Sequence, residues 1–164
     1  MEWPLLCPLS RLRVGTLTRN PSSNPKWLPR ISSPTPYGTV VSSQSDLTQA
    51  YDSREAIFVE GPRDYEAIRT ILTHLKRPTP VIALLSSRLS VRMRVIAALL
   101  LDRVEFVFDN DKHGKISASK AASTLELYDV ETSIIYYPAN DPADLLSIYG
   151  LEEASEHYMQ GKFL

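Results

Sequence analysis

The chain has 164 residues, with 18 Lys and Arg against 19 Asp and Glu, and a net charge of −1 at pH 7. This length accommodates one folded domain with an appendage, but not a catalytic domain together with a second large module. The balanced charge excludes a bulk electrostatic attraction to nucleic acid, so any affinity for polyanions has to come from local clusters of charge.

Residues 1–50 are predicted to form an extended, Pro-rich, basic N-terminal arm, followed by a folded domain over residues 51–164. Seven of the twelve prolines lie in the first 36 residues, where Glu2 is the only acid. Such a segment forms neither a helix nor a central strand. Its Trp and Leu residues leave two interpretations open: the arm packs on its own domain, or it docks on a partner protein or nucleic acid.

The arm also carries Cys7, the only cysteine of the chain. A single cysteine excludes an internal disulfide and a multi-cysteine zinc site, which favours a reducing, cytoplasmic compartment. Pro4 and Pro8 interrupt the N-terminal apolar stretch, which lacks a basic n-region, so no signal peptide is expected. No apolar run approaches the ~20 residues of a membrane span, so no membrane partner is expected either.

From residue 50 onward, short apolar runs alternate with helical patterns. Strands are predicted at 56–59, 81–85, 104–108 and 134–137. The intervening segments carry apolar residues at helical spacing, for example Ile68, Ile71, Leu72 and Leu75. Four strands separated by helices predict an α/β fold, in which helices flank both faces of a mainly parallel, four-stranded sheet.

Acidic residues follow three of the predicted strands. Glu60 follows the first, Asp109 and Asp111 follow the third, and Asp141 and Asp144 follow the fourth. Ligands of open α/β sheets bind beyond the carboxyl ends of the strands, where these acids should lie. Carboxylates suit a hard cation such as Mg²⁺ or Mn²⁺, whereas zinc prefers Cys or His ligands. The pattern therefore favours a magnesium or manganese site.

Several of the acids also have a structural interpretation. Asp141, with Pro142 after it and Gly150 further on, is typical of a helix N-cap, a first-turn proline and a C-terminal glycine. Asp64 and Asp144 could each simply favour the start of a helix.

Asp109 and Asp111 are harder to explain structurally. Two like charges after a buried strand are expected to destabilise the fold, and the pattern indicates no local structural purpose for them. A bound cation would offset this repulsion. Glu60 alone could instead pair with an arginine.

Four segments carry a resemblance to a known family: VEGPRD at 59–64, LLSS at 84–87, FDNDKHG at 108–114 and NDPAD at 140–144. In order and spacing they resemble the Toprim domain of DnaG-type and phage or plasmid primases, over about residues 55–150. The combination is far more specific than a lone DxDxxG motif.

The resemblance implies a Toprim fold with a Mg²⁺ or Mn²⁺ site. Its catalytic and metal-binding residues would be Glu60, Asp109 and Asp111, with Asp64, Asp141 and Asp144 around them. This set fits two-metal phosphoryl or nucleotidyl transfer on DNA or RNA with nucleotides as substrates, and Glu60 could act as general base or acid.

The sequence departs from the primase pattern in three respects. The third motif reads DPAD where primases usually have DPD, which puts the role of Asp144 in doubt. Asn110 and His113 replace the usual Gly and Ala of the bacterial motif, as in phage and plasmid relatives. Residues 1–50 are too short and too poor in cysteine for the zinc module and basic subdomain of bacterial primases, so a primase of this kind would need a partner.

Five basic residues are candidates for binding nucleic-acid phosphates. Arg63 lies beside Glu60, while Lys112 and Lys115 follow the aspartate pair. Arg88 and Arg92 are four residues apart and are expected to share a helix face. The alternative for this pair is an ordinary solvated helix face.

Three functions remain open from the sequence. The first is the catalytic part of a split or minimal primase in DNA replication, which could contact other replication proteins through the arm. The second is a small Toprim nuclease that hydrolyses phosphodiesters. The third is a non-catalytic Toprim module that binds nucleic acid or protein.

Overall fold

Four parallel strands form the centre of the fold: β1 Glu55–Val59, β2 Val81–Ala83, β3 Arg103–Val107 and β4 Glu131–Ile134. This computed structural model describes residues 42–161. The strands lie in the order β2-β1-β3-β4. Ile57 of β1 is paired with Val81 on one side and with Glu105 on the other, so β1 and β3 are the central strands.

Five helices connect or precede the strands: α1 Gln44–Ser53, α2 Pro62–His74, α3 Val91–Leu100, α4 Lys112–Glu126 and α5 Pro142–Gln160. Four of them begin at a polar N-cap whose side chain accepts a backbone N–H three residues later: Ser43, Ser90, Asp111 and Asp141. Each such cap satisfies a donor that the first helical turn leaves free.

Alternate strand residues build a separate apolar core on each face of the sheet. On one face, under α1, α3 and α4, Phe58, Phe106 and Phe108 pack edge to face with ring centroids 5.8 and 5.5 Å apart. On the other, Ile57 and Val59 pack under α2 and α5. The central strands are therefore buried on both sides, as expected for a parallel sheet.

The predicted fold class is confirmed, with two corrections to the strands. The second strand ends at Ala83 rather than 85, because Leu85 turns into the left-handed region with φ 53°. The fourth is Glu131–Ile134 rather than 134–137, although Ile135 still donates its N–H to the Phe106 carbonyl at 3.0 Å. The polar residues that begin this edge strand gave no apolar signal.

Helix α1 was not predicted, and it crosses residue 50, where the sequence divides the arm from the domain. The N-terminal part of the predicted arm, residues 1–41, lies outside the described residues, so this division stays a prediction. Helix α5 is kinked at Gly150, where φ is 72°, and this is where its first segment was predicted to end. No helix within residues 42–161 is long and apolar enough to cross a membrane.

Candidate metal centre

Glu60 follows β1 directly and connects the ends of the two central strands. Its half-buried carboxylate accepts the backbone N–H of Asp109 through Oε1 at 3.2 Å. Because β1 and β3 are parallel neighbours, the residues after them emerge at the same edge of the sheet. The strand order therefore brings together two acids that are distant in sequence.

Asp64 lies in the first turn of α2, which follows Glu60 after a single glycine. The residue is only 7% exposed, and Oδ2 accepts the Gly61 N–H at 2.9 Å. The predicted helix-start role is therefore present. Asp64 also faces the acids after β3 and at the start of α5, whose charges act on it.

The acids after β3 have different surroundings. Asp109 is half-buried, while Asp111 is exposed and caps α4, where Oδ1 accepts the Gly114 N–H at 2.7 Å. The expectation that neither charge has a local structural purpose is wrong for Asp111. The helix start explains its carboxylate, whereas Asp109 has no such contact among the residues described.

Gly114 is required because α4 begins so close to the end of β3. A Cβ at this position would overlap with the backbone carbonyl of Asp109. The glycine of the DNDKHG segment therefore allows the first turn of α4 to pack against the residue that carries the buried charge.

The loop before α5 completes the cluster. Asp141 caps α5, with Oδ1 accepting the Asp144 N–H at 2.6 Å. Asn140 donates its side-chain amide to Asp144 at 3.5 Å, and its carbonyl accepts the Asn110 N–H at 2.7 Å. This last hydrogen bond connects the loop directly to the aspartate segment after β3.

Burial and mutual repulsion favour the neutral forms of the inner carboxyl groups. Burial, followed by the charges of Asp109 and Asp111, raises the pKa of Glu60 to about 7. Burial, followed by the charges of Asp141 and Asp109, raises the pKa of Asp64 to about 7. The pKa of Asp109 is also raised, chiefly by burial.

No cation compensates these charges within residues 42–161, because none of the six acids forms an ion pair there. Glu60, Asp64 and Asp109 therefore bind protons more readily than isolated carboxylates do, and a divalent cation would offset the same repulsion.

The donor set fits a hard cation. All six candidate ligands are carboxylates, which suit Mg²⁺ or Mn²⁺ and offer no zinc site. No three acidic, His or Cys side chains within the described ranges already form a metal-binding cluster.

Tyr137 is a site residue that the sequence analysis missed. It is buried beneath the acids, and its hydroxyl donates to the Phe108 carbonyl at 2.6 Å. Burial and the carboxylates around it raise its pKa, so it stays a neutral donor. The available signal was its position, since it ends the fourth apolar run just before the acid-rich loop.

The five predicted phosphate-binding residues are all exposed. Arg63 lies in the first turn of α2, and Lys112 and Lys115 lie in the first turn of α4. The prediction that Arg88 and Arg92 share a helix face is wrong, because Ser90 caps α3 and Arg88 precedes the helix.

No protein-family model and no curated protein sequence matches the chain. Among solved structures it is similar to a DnaG catalytic core, with a TM-score of 0.62 and 19% identity. It is also similar to a DNA primase domain from Pseudomonas aeruginosa (0.61, 22%) and to a DnaG primase catalytic domain bound to ssDNA (0.62, 18%).

The chain has a Toprim-like fold. The three matches cover 85%, 86% and 85% of this chain but only 45%, 44% and 44% of the respective primase structures. The chain therefore spans less than half the length of each. At these identities the similarity establishes the Toprim-like fold alone.

Proposed function

We propose that the chain is the metal-binding catalytic part of a primase-like protein of DNA replication, which transfers nucleotides on a nucleic-acid template. One observation carries the proposal. On a Toprim-like fold, Glu60 and Asp109 meet at the ends of the two central strands, and the charge of Asp141 raises the pKa of Asp109 and of the neighbouring Asp64.

In this proposal Glu60, Asp109 and Asp111 hold Mg²⁺ or Mn²⁺, and Asp64, Asp141 and Asp144 surround them. When bound, divalent cations stabilise the attacking and leaving oxygens of phosphoryl transfer. The repulsion among the half-buried carboxylates supports this assignment, because it would be relieved on cation binding.

Glu60 is the proposed proton carrier. Oε1 accepts the Asp109 N–H, which leaves Oε2 to accept or donate a proton. Without a bound cation, a pKa of about 7 allows Glu60 to adopt both protonation states near neutral pH, as general acid or base catalysis requires.

The exposed cations around the cluster are the proposed phosphate contacts. Arg63, Lys112 and Lys115 lie in the helix turns next to the acids, and Arg88 and Arg92 lie around the start of α3. One of the similar structures is a DnaG primase catalytic domain bound to ssDNA, which supports single-stranded DNA as the ligand.

The test is primer synthesis by the purified chain on a single-stranded DNA template, with labelled nucleotides and Mg²⁺ or Mn²⁺. A parallel assay follows hydrolysis of labelled single-stranded DNA and RNA. Asp109→Asn should abolish the product, whereas Glu66→Gln, which removes an exposed charge from α2, should not.

The two assays separate the alternatives. Hydrolysis without synthesis would replace the primase-like assignment with a Toprim nuclease. No metal-dependent product in either assay, combined with binding to DNA, would favour the non-catalytic module.

A further inference from the structure

A cleft of about 450 Å³ lies between α1, the second half of α2 and the loop leading to β2. The two helices pack on opposite faces of the sheet and meet across the edge strand β2. The Tyr65 hydroxyl of α2 donates to Asp46 of α1 at 2.6 Å and links them. None of the candidate metal ligands lines this cleft.

The cleft is lined by cations and neutral polar groups. Arg69, Lys76 and Arg77 contribute three positive charges, and no acidic residue is among the lining residues. Ser45 and Thr73 add hydroxyl groups at its wall. The chemistry of the lining is therefore that of an anion site.

Each of the two arginines forms an ion pair with a buried carboxylate. Arg69 Nη1 lies 2.7 Å from Asp46 Oδ1, on a side chain that is fully buried. Arg77 Nη2 lies 3.6 Å from Glu105 Oε1, on a residue that is 7% exposed. Both arginine side chains line the cleft and remain partly exposed, while the buried carboxylates orient their guanidinium groups.

Each guanidinium also has donors left over. A guanidinium carries five N–H donors, and the ion pair with Asp46 engages only one nitrogen of Arg69, whereas Arg77 interacts with the buried Tyr158 as well as with Glu105. Arg77 Nη1 is buried and has no hydrogen-bond partner among the described residues, so it is not a donor to a ligand in the cleft. Oriented guanidinium forks bind phosphate in bidentate fashion, and Lys76 adds a point charge.

The charge of the cleft is not balanced. Three lining cations face two buried carboxylates, and Lys76 forms no ion pair in the part of the chain that the structure describes. Residues 1–41 contain a single acid, Glu2, so the N-terminal segment offers little compensating charge. The net positive charge of the cleft therefore favours an anionic ligand.

We propose that this cleft is a phosphate-binding site, remote from the acid cluster, for a nucleic-acid strand or a free nucleotide. It rests on the geometry of the sheet edge and not on the proposed catalytic function. The phosphate-site proposal can therefore fail while the proposed nucleotidyl transfer is correct, and the proposed nucleotidyl transfer can fail while the phosphate site is correct.

The test measures binding in the absence of divalent cations, which removes any contribution from the acid cluster. One arm follows the fluorescence anisotropy of labelled single-stranded DNA as a function of salt. The other follows the shift of the melting temperature with pyrophosphate and with ATP.

Two variants target the cleft. Lys76→Gln removes its free charge, and Arg69→Lys combined with Arg77→Lys retains the charge and both buried ion pairs but removes the planar forks. Lys120→Gln is the matched control, because Lys120 is an exposed lysine on α4 and does not line the cleft.

For a nucleic-acid strand, Lys76→Gln should weaken binding about threefold or more and reduce the salt slope by about 0.7, the value for one phosphate contact to a single strand. The double lysine variant should also bind more weakly, and Lys120→Gln should match wild type. If pyrophosphate or ATP shifts the melting temperature of the wild type and of Lys120→Gln but not that of the cleft variants, the ligand is a free nucleotide. If both cleft variants equal wild type in both arms, the proposal is wrong.

Discussion

At the scale of single residues, Glu60 is the most informative position, because its carboxylate combines a strand-end location with a pKa of about 7. Glu60→Gln keeps the shape and the acceptor for the Asp109 N–H but removes the charge. We expect product formation to fall by about 10²-fold or more if the residue binds metal or transfers a proton.

DNA binding by Glu60→Gln, measured by anisotropy, should remain, because the proposed phosphate contacts are basic residues. The pH profile of the wild type should respond to a group near pH 7 if Glu60 carries the proton. A variant that turns over at the wild-type rate would remove Glu60 from the chemistry.

Substitution of Gly114 tests how closely α4 packs against the backbone of the half-buried Asp109. Gly114→Ala places a Cβ against the Asp109 carbonyl, so we expect a loss of about 1–3 kcal/mol in the free energy of unfolding, which is typical of overpacking. Ser119→Ala, on the exposed face of the same helix, should change it little. Denaturant unfolding of both variants measures the difference, and equal stabilities would contradict the overlap.

At the scale of elements, Asp141 caps helix α5 and also contributes a negative charge to the acid cluster. Two substitutions separate the cap from the charge. Asp141→Ala should cost about 1 kcal/mol, because the Asp144 N–H loses its acceptor. Asp141→Asn should keep the cap, since Asn and Asp are comparable at this position.

The charge of Asp141 raises the pKa of both Asp64 and Asp109. Asp141→Asn should therefore be at least as stable as wild type near pH 7 without metal, while its stabilisation by Mg²⁺ should be smaller. Thermal unfolding with and without Mg²⁺ checks this. If Asn is as destabilising as Ala, the negative charge itself is needed at the start of the helix.

At the scale of the whole molecule, the acid cluster makes stability depend on pH. The pKa of Asp64 is near 3.8 in the unfolded chain and about 7 in the folded protein. The folded state therefore binds the proton more tightly, which stabilises the fold fully below about pH 4. This stabilisation is lost as the pH rises to about 7. Asp64→Asn stays neutral and can still accept the Gly61 N–H. Its melting temperature relative to wild type should therefore increase from pH 4.5 to 7.5 without metal, and a constant difference would contradict the raised pKa.

Divalent cations should act on the same charges. Millimolar Mg²⁺ or Mn²⁺ should raise the melting temperature at pH 7.5. A cation concentration of ten times Kd adds about 1.4 kcal/mol to the free energy of unfolding. At pH 5 the effect should be smaller, because protons then occupy the inner carboxyl groups. Equal behaviour of wild type and a doubly substituted Asp109→Asn, Asp111→Asn variant would count against a metal site.

The N-terminal arm offers a test of domain organisation. Deletion of residues 1–36 should leave a cooperatively folding domain, because the first described helix is capped by Ser43 and begins after the deleted segment. Circular dichroism with thermal unfolding measures this. Loss of cooperative unfolding would mean that Trp3 or Trp27 belongs to the core.

The sequence by itself determined the class of the fold and the positions of the acids. Uninterrupted apolar runs such as Ala56–Val59 are typical of strands buried on both faces, and the helical spacing between them requires crossovers, which predicts a parallel sheet. The polar start of β4 and helix α1 gave no such pattern, since an edge strand and a mostly exposed helix bury little apolar surface.

Only the tertiary structure decided how the acids divide their roles. Strand order brings Glu60 against Asp109, and burial by distant segments raises their pKa, which depends on desolvation and on distances that no local pattern contains. The cap formed by Asp111 and the overlap that excludes a side chain at position 114 likewise follow from where α4 begins against the sheet, whereas the cap formed by Asp141 was predicted from the sequence. The cleft at β2 has the same origin, because Asp46, Arg69 and Arg77 meet only where two helices close over the edge of the sheet.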